Sequence, residues 1–521
     1  MSDTATLLEQ EAGAMVRRLF AKDPTLWVDD PRTPEVANRL GWLDAPQRYE
    51  RQLGELTGLV DQVKGSFDRV ALLGMGGSSL APEVFAKSFR RRPGSLALVV
   101  LDTTHPDAIA AALDGGELAR TLFIVASKSG TTVESCSLNE LCWEKTGQRG
   151  EQFIAITDPG TVLAQLAQER GFLRCFANDP EIGGRFSALS YFGLVPAALI
   201  GVPLTEVLER AATVATRDAL AAKDGNAHEV SGAPLAAHLA ANWRGGRDKL
   251  TLATTPGYGA FGVWMEQLVA ESTGKQGKGI IPIVDEPLVP RALGEDRLYV
   301  TMVESGMAVD LPPGADAGSL PGLHRLDLGA QFYTWEVATA LVGAWMRVNP
   351  FDQPNVQESK AQSQAALKSL KAAESEPGQG LEGVESALRP WLESLQPGDY
   401  AAVLAYTPPT QPTDGYLNRI RKAIVRSRGV ATTLGYGPRY LHSTGQLHKG
   451  GKPSGAFLQI ETSPSRDIQV PGAGHTFGQL IQAQATGDYR ALTARGRRVL
   501  RIRLKPGELE RLAQAVEEVT A

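Results

Sequence analysis

The sequence predicts an α/β protein of Rossmann-like αβα sandwiches on parallel sheets. Three observations carry that expectation. Short β-branched and aliphatic runs alternate with helix-period segments, the rhythm of βαβ units. The runs are apolar throughout, as strands buried on both faces of a parallel sheet must be. The rhythm stops and restarts twice along a chain of 521 residues, long enough for about three domains.

Residues 1–66 read as helices with polar faces. Strands are expected at Arg69–Leu73, Leu96–Leu101, Leu122–Ala126 and Phe153–Thr157, giving a first sandwich over 67–204. A long helical stretch, about Thr205–Trp243, opens a second unit over 205–371. Its strands are expected at Gly279–Val284, Leu250–Thr254 and Leu298–Val303, and a helix at about Phe332–Arg347. The Glu-, Ser-, Gly- and Gln-rich segment Ala372–Gly383 reads as a surface linker or insert, set within 372–396. A C-terminal α/β unit over 397–521 follows. Its strands are expected at Tyr400–Tyr406, Val430–Leu434, Ala456–Glu461 and Val499–Leu504, with helices at Tyr416–Ser427 and near Phe477–Ala485. This unit is expected to pack on the core rather than hang free.

The formal charge of −5 favours neither nucleic acid nor an anionic membrane as partner. No run approaches the ~20 apolar residues of a membrane span. Met1–Lys22 is charged throughout and shows no signal peptide. Cys136, Cys142 and Cys175 form neither a metal-ligand spacing nor a disulfide framework, which points to a reducing, cytoplasmic setting.

Five motifs carry chemistry. The turn Ser127–Thr132 (SKSGTT) leaves an apolar strand and opens a helix. Its four hydroxyls, the Lys128 ammonium and the helix N-terminus make a cradle for a small anion such as a sugar phosphate. It lacks the spacing of a Walker loop. Gly74–Ser79 (GMGGSS) is a second glycine turn, which allows close backbone approach to an anion. Gly183–Ser187 (GGRFS) delivers a fixed guanidinium, Arg185, past a bare backbone. Glu271, in Glu271–Lys275 (ESTGK), is a carboxylate at a helix end, a candidate general base. In Asn349–Lys360 (NPFDQPNVQESK), Gln353 and Lys360 stand two helical turns apart and could face one site. Taken singly, most of these residues read as ordinary tight turns, buried ion pairs or solvated charges.

Taken together and in this order, the motifs resemble the glucose-6-phosphate isomerase family. The stretch Thr432–Gly451 (TTLGYGPRYLHSTGQLHKGG) is similar to the isomerase half of bifunctional transaldolase/glucose-6-phosphate isomerases. No room is left for a transaldolase barrel of roughly 250 residues. The resemblance implies two sugar-isomerase (SIS) domains, each a Rossmann-like αβα sandwich, with the site between them. It implies a homodimer whose partner completes the site, and a functional link to a transaldolase. It implies reversible interconversion of glucose 6-phosphate and fructose 6-phosphate through a cis-enediolate, with no metal and no cofactor. Ser78, Ser127, Ser129 and Thr132 would hold the phosphate, with Lys128 beside them. Gly77 and Arg185 would line the reacting carbons, Glu271 would be the base, and Gln353 and Lys360 would contact the ring oxygen and substrate.

One departure stands out. The family's ring-opening histidine lies between the ESTGK-type and FDQ-type motifs, yet here that interval holds only His324, in a context that does not match, and Gly294–Arg297 stands where it should be. His448 is the expected replacement, with His442 and His475 behind it, because an imidazole titrates near neutral pH. His105, His228 and His238 read as structural or surface residues. Two competitors remain: isomerisation of another acidic sugar, such as a sulfo-sugar or a mannose/glucose phosphate, and a non-catalytic sugar-phosphate sensor. A sensor has no need of Glu271.

Overall fold

The apolar runs pair into three separate parallel sheets in the protein's computed structural model. It describes residues 3–287, 289, 294–312, 315, 317–368 and 378–521, the side chains of 356–360 excepted. The first sheet holds β1 (Arg69–Gly74), β2 (Ala97–Leu101), β3 (Thr121–Ala126), β4 (Phe153–Thr157) and β5 (Arg174–Ala177), in the order β2-β1-β3-β4-β5. The second holds β6 (Lys249–Thr254), β7 (Ile281–Ile283), β8 (Arg297–Glu304) and β9 (Ala317–Leu323), in the order β7-β6-β8-β9. The third holds β10 (Tyr400–Tyr406), β11 (Ala431–Tyr436), β12 (Gly455–Thr462) and β13 (Arg498–Leu504), in the order β11-β10-β12-β13. The expected fold class holds, and the C-terminal unit is a full third sheet. β3, β4 and β10 are buried along their whole length, as the uniform apolar runs require.

All three sheets reverse direction of growth beside their first strand. In the first sheet that switch lies between β1 and β3, paired in register from Arg69↔Thr121 to Gly74↔Ala126. The turns leaving these two strands are Gly74–Ser79 and Ser127–Thr132. Both therefore open into the crevice where such sheets take ligands.

Several boundaries differ from expectation for local reasons. The stretch Thr205–Trp243 is two helices, Leu204–Asp224 and Ala233–Arg244. The first ends at Gly225, whose φ of 71° is left-handed and whose N–H bonds back to Ala221 and Ala222 carbonyls. β5 and β9 were not foreseen. β9 reads Ala-Gly-Ser-Leu-Pro-Gly-Leu, and only its edge pairing with β8 makes it a strand. Within the expected linker, residues 372–377 lie outside the described residues. Its later part, Glu385–Glu393, is a helix that buries Leu388, Trp391 and Leu392 in the core of the third unit.

The third unit is packed on the other two. Tyr400, Leu404, Leu447 and Phe457 share a cluster with Ala270, Ile281 and Ile283 of the second unit. Val470, Phe477 and Leu480 join Val125, Leu138 and Leu141 of the first. Arg439 forms an ion pair with Glu83 and lies 3.3 Å from Asp102, which follows β2. Among the described residues no helix is long and apolar enough to cross a membrane.

Candidate active site

Backbone contact brings the first two glycine turns together. A Cβ at Gly77 would lie 1.9 Å from the Gly184 carbonyl oxygen, so this position admits no side chain. Gly76 has a φ of 53°, and a Cβ there would meet the His442 carbonyl at 2.6 Å. The GMGGSS turn is thus clamped between Gly184 on one side and the C-terminal unit on the other.

Arg185 joins three motifs. It is buried, and its guanidinium donates to Ser272 Oγ (2.9 Å), Gln353 Oε1 (2.9 Å) and the carbonyls of Pro350 (2.7 Å) and Asp352 (2.8 Å). Its Nη1 stands 3.4 Å from Glu271 Oε1. Glu271 is 6 % exposed, in the last turn of the helix Phe261–Thr273, and its Oε2 accepts from Gln267 Nε2 at 3.1 Å. The sequence reading missed Gln267; its signal was the i, i+4 spacing to Glu271 on one helix face.

Lys275, also missed, anchors the turn that carries Gln353. Its ammonium donates to the Asn349 carbonyl, to the Asp352 carbonyl at 2.5 Å and to the Asp352 carboxylate at 2.6 Å. Burial, and then the neighbouring Arg185 charge, pull its pKa down to about 7. Gln353 precedes the helix Pro354–Lys368. Lys360 lies within that helix, but its side chain is outside the described residues.

The four hydroxyls of the Ser127–Thr132 turn form two pairs. Ser127 Oγ and Thr132 Oγ1 are 2.9 Å apart, and Ser129 Oγ and Thr131 Oγ1 are 2.9 Å apart. Ser127 Oγ also accepts from the Gly130 N–H at 3.1 Å. The helix Val133–Lys145 begins at Thr132, which places no side-chain cap on its first N–H groups. Ser78 stands on the neighbouring turn, half-buried. Lys128 differs from the expectation. Its ammonium is held by Asp158 Oδ2 (2.5 Å) and the Pro180 carbonyl (2.9 Å). Burial lowers the Lys128 pKa and raises that of Asp158.

The histidines also fall differently. His448 is buried; its Nδ1 lies 3.0 Å from Tyr400 Oη, and its ring packs between Tyr400, Tyr440 and Phe457. Burial, followed by the charges of Lys449 and Arg497, holds its pKa well below the usual imidazole value. These contacts belong to the third unit's core and do not bring His448 to Glu271. The expectation failed because Leu447 and His448 turn into the apolar interior of a short helix, Gly445–Gly450. The face that meets the site carries Gln446, which bonds Asn355 and the Gly274 carbonyl (3.0 Å). His475 lies in a turn closed by the Val470 N–H to its own carbonyl. His442, by contrast, points its Nε2 at Glu134 Oε1, 3.0 Å away. A cavity of about 480 Å³ is lined by Ser129, Thr132, Glu134, His442 and Gln484, among others. Glu134 was missed too; its signal was an acidic residue in the first turn of the helix that follows the anion cradle. His105, His238 and His324 each bond backbone groups, as structural histidines do.

Parallel sheets with glycine and hydroxyl turns at a switch point, and a buried arginine–carboxylate pair beside them, make up the candidate site, and the fold is of the sugar-isomerase (SIS) type. The profile of the phosphoglucose isomerase family matches residues 51–285. The chain is 29 % identical over 353 residues to a glucose-6-phosphate isomerase of Cyanothece sp., covering 58 % of this chain and 66 % of that protein. It is 29 % identical over 405 residues to one of Heliobacterium modesticaldum, covering 64 % of this chain and 89 % of the relative. A solved glucose-6-phosphate isomerase of Chlamydia trachomatis shares the fold, with a TM-score of 0.52 and 18 % identity over 72 % of this chain and 86 % of that one.

Proposed function

We propose that the protein interconverts glucose 6-phosphate and fructose 6-phosphate through a cis-enediolate. One observation carries this reading: Arg185 draws Glu271 and Gln353 into one buried cluster beside the backbone contact of Gly77 with Gly184. An aldose–ketose exchange needs these parts. The phosphate binds the hydroxyl turn with Ser78. Glu271 carries a proton between C2 and C1 on one face of the sugar. The Arg185 guanidinium offsets the charge that develops on the enediolate oxygens. Gln353 and Lys360 hold the substrate's ring end. Three unpaired thiols support a cytoplasmic location. A homodimer and a link to a transaldolase stay within the proposal, the latter on the strength of Thr432–Gly451.

A coupled assay reading glucose 6-phosphate formed from fructose 6-phosphate tests the reading. Turnover with these two, and none with a sulfo-sugar or with mannose 6-phosphate, supports it. Tight binding of the sugar phosphates without turnover would leave a sensor instead.

A further inference from the structure

We propose that His442, oriented by Glu134 and supplied by the same chain, is the acid that opens the sugar ring; this rests on the isomerase reading. Hexose phosphates are largely cyclic, so a proton must reach the ring oxygen before the enediolate can form. Neither Glu271 nor Arg185 suits that step: one is committed to carbon, the other does not give up its proton.

His442 has the right neighbours on every side. Its Nε2 meets Glu134 Oε1 at 3.0 Å, and Gln484 Nε2 donates to the same oxygen at 2.7 Å. Gln484 is itself fixed, because its Oε1 accepts from Thr104 Oγ1 at 2.6 Å. A carboxylate that accepts from both fixes the imidazole with its hydrogen on Nε2. Among the described residues no hydrogen bond engages Nδ1. That leaves Nδ1 as the nitrogen that takes and gives a proton. The backbone ties this histidine to the base. Gln267 Nε2 donates at once to the His442 carbonyl (2.7 Å) and to Glu271 Oε2 (3.1 Å). One amide thus spans the two groups. The cavity that His442 and Glu134 line also holds Ser129 and Thr132, two of the hydroxyls proposed for the phosphate. Its volume of about 480 Å³ suits a small ligand. His442 is the partly exposed histidine of the segment, with a side chain 16 % accessible.

The imidazolium gives its Nδ1 proton to the ring oxygen as the bond between that oxygen and C1 breaks. The C1 hydroxyl loses its proton to water as its C–O bond becomes a carbonyl. Neutral His442 regains a proton from solvent, so none is consumed overall.

The test compares two substrates. Glucose 6-phosphate must be opened. An aldotetrose 4-phosphate cannot close a ring, because its C4 oxygen carries the phosphate, and its C2 proton exchange in D2O is read by NMR. His442→Gln is expected to slow the first by ~10²–10⁴-fold and the second by less than about threefold. Glu134→Gln is expected to show the same split at smaller size. Equal losses on both substrates, or an unchanged rate on glucose 6-phosphate, would overturn the proposal. A native protein inert on both would instead remove the isomerase reading beneath it. Circular dichroism on each variant, with His442→Asn as a second replacement, separates a lost acid from a lost fold.

Discussion

Two histidines six positions apart on one segment, His442 and His448, have opposite surroundings. His442 lies on a turn at the cavity rim, with a carboxylate partner and partial access to solvent. His448 lies in the core of the third sheet, with a phenol partner, three aromatic neighbours and no access. A carboxylate beside an imidazole fixes the ring and its hydrogen, whereas an apolar shell disfavours the charged form. The same residue type therefore packs in one place and stands, as proposed, as a reagent in the other. The local element decides which: the turn at 442 is held outward by Gln267, and the helix at 445–450 rolls inward around Leu447.

The comparison breaks most violently at the core. Lys449 and Asp488 form a fully buried ion pair at 2.5 Å, and Tyr440 Oη donates to the same Asp488 at 2.6 Å. Asp488→Asn leaves the ammonium buried and uncompensated, which should cost about 3–5 kcal/mol in chemical denaturation. Turnover per folded molecule at low temperature should change little. A variant as stable as the native protein would mean that the third unit's core is far looser than its burial indicates.

The next effect lies at the site and leaves the core alone. Glu271→Gln keeps the shape and the Arg185 and Gln267 neighbours but cannot accept a proton. Turnover should fall by ~10²-fold or more while the denaturation midpoint moves little. Near-native turnover would remove Glu271 from the mechanism. Smaller again is the anion turn. Ser127→Ala and Thr132→Ala should each weaken sugar-phosphate binding by ~1–3 kcal/mol, since a charged acceptor loses a donor. Calorimetry that finds neutral sugars binding as well as their phosphates would end the cradle assignment.

The smallest effect sharpens the contrast directly. His448 has its pKa held below the usual value in the folded state, so near and below pH ~6.5 the unfolded chain binds a proton that the native state refuses. Native stability should therefore fall as pH drops through that region, by up to about 1.4 kcal/mol per pH unit from this group. His105 is depressed by burial as well and adds its own slope. His448→Phe should flatten the curve below pH ~6.5 without touching the His105 share. Parallel stability curves for both proteins would show that His448 is charged in the fold.

Most of the site was legible because it is local. Each of the five motifs is a turn at a strand or helix end, and the residues proposed for the chemistry sit within a few positions of that turn. Strands with uniform apolar runs, such as β3 and β10, were equally plain. What escaped was non-local. β9 becomes a strand only through its partner. Lys128 looked free until Asp158, thirty positions on, claimed its ammonium. Glu134 and His442 lie 308 positions apart, and nothing in either neighbourhood announces the other. His448 looked better than His442 because a glycine- and lysine-rich context suggests an open turn, whereas the segment is a buried helix.

The order of the residues along the chain also sets an order in time. As a nascent chain emerges, Ser78, Thr132, Arg185, Glu271 and Gln353 are all synthesised before β10 exists. His442 comes later, after β10 and β11. Gln446 then fastens the turn to Asn355 and Gly274. The residues proposed to grip an open-chain sugar phosphate are thus all made before the one proposed to open a closed ring. Ring opening would be the last competence that this protein acquires at birth.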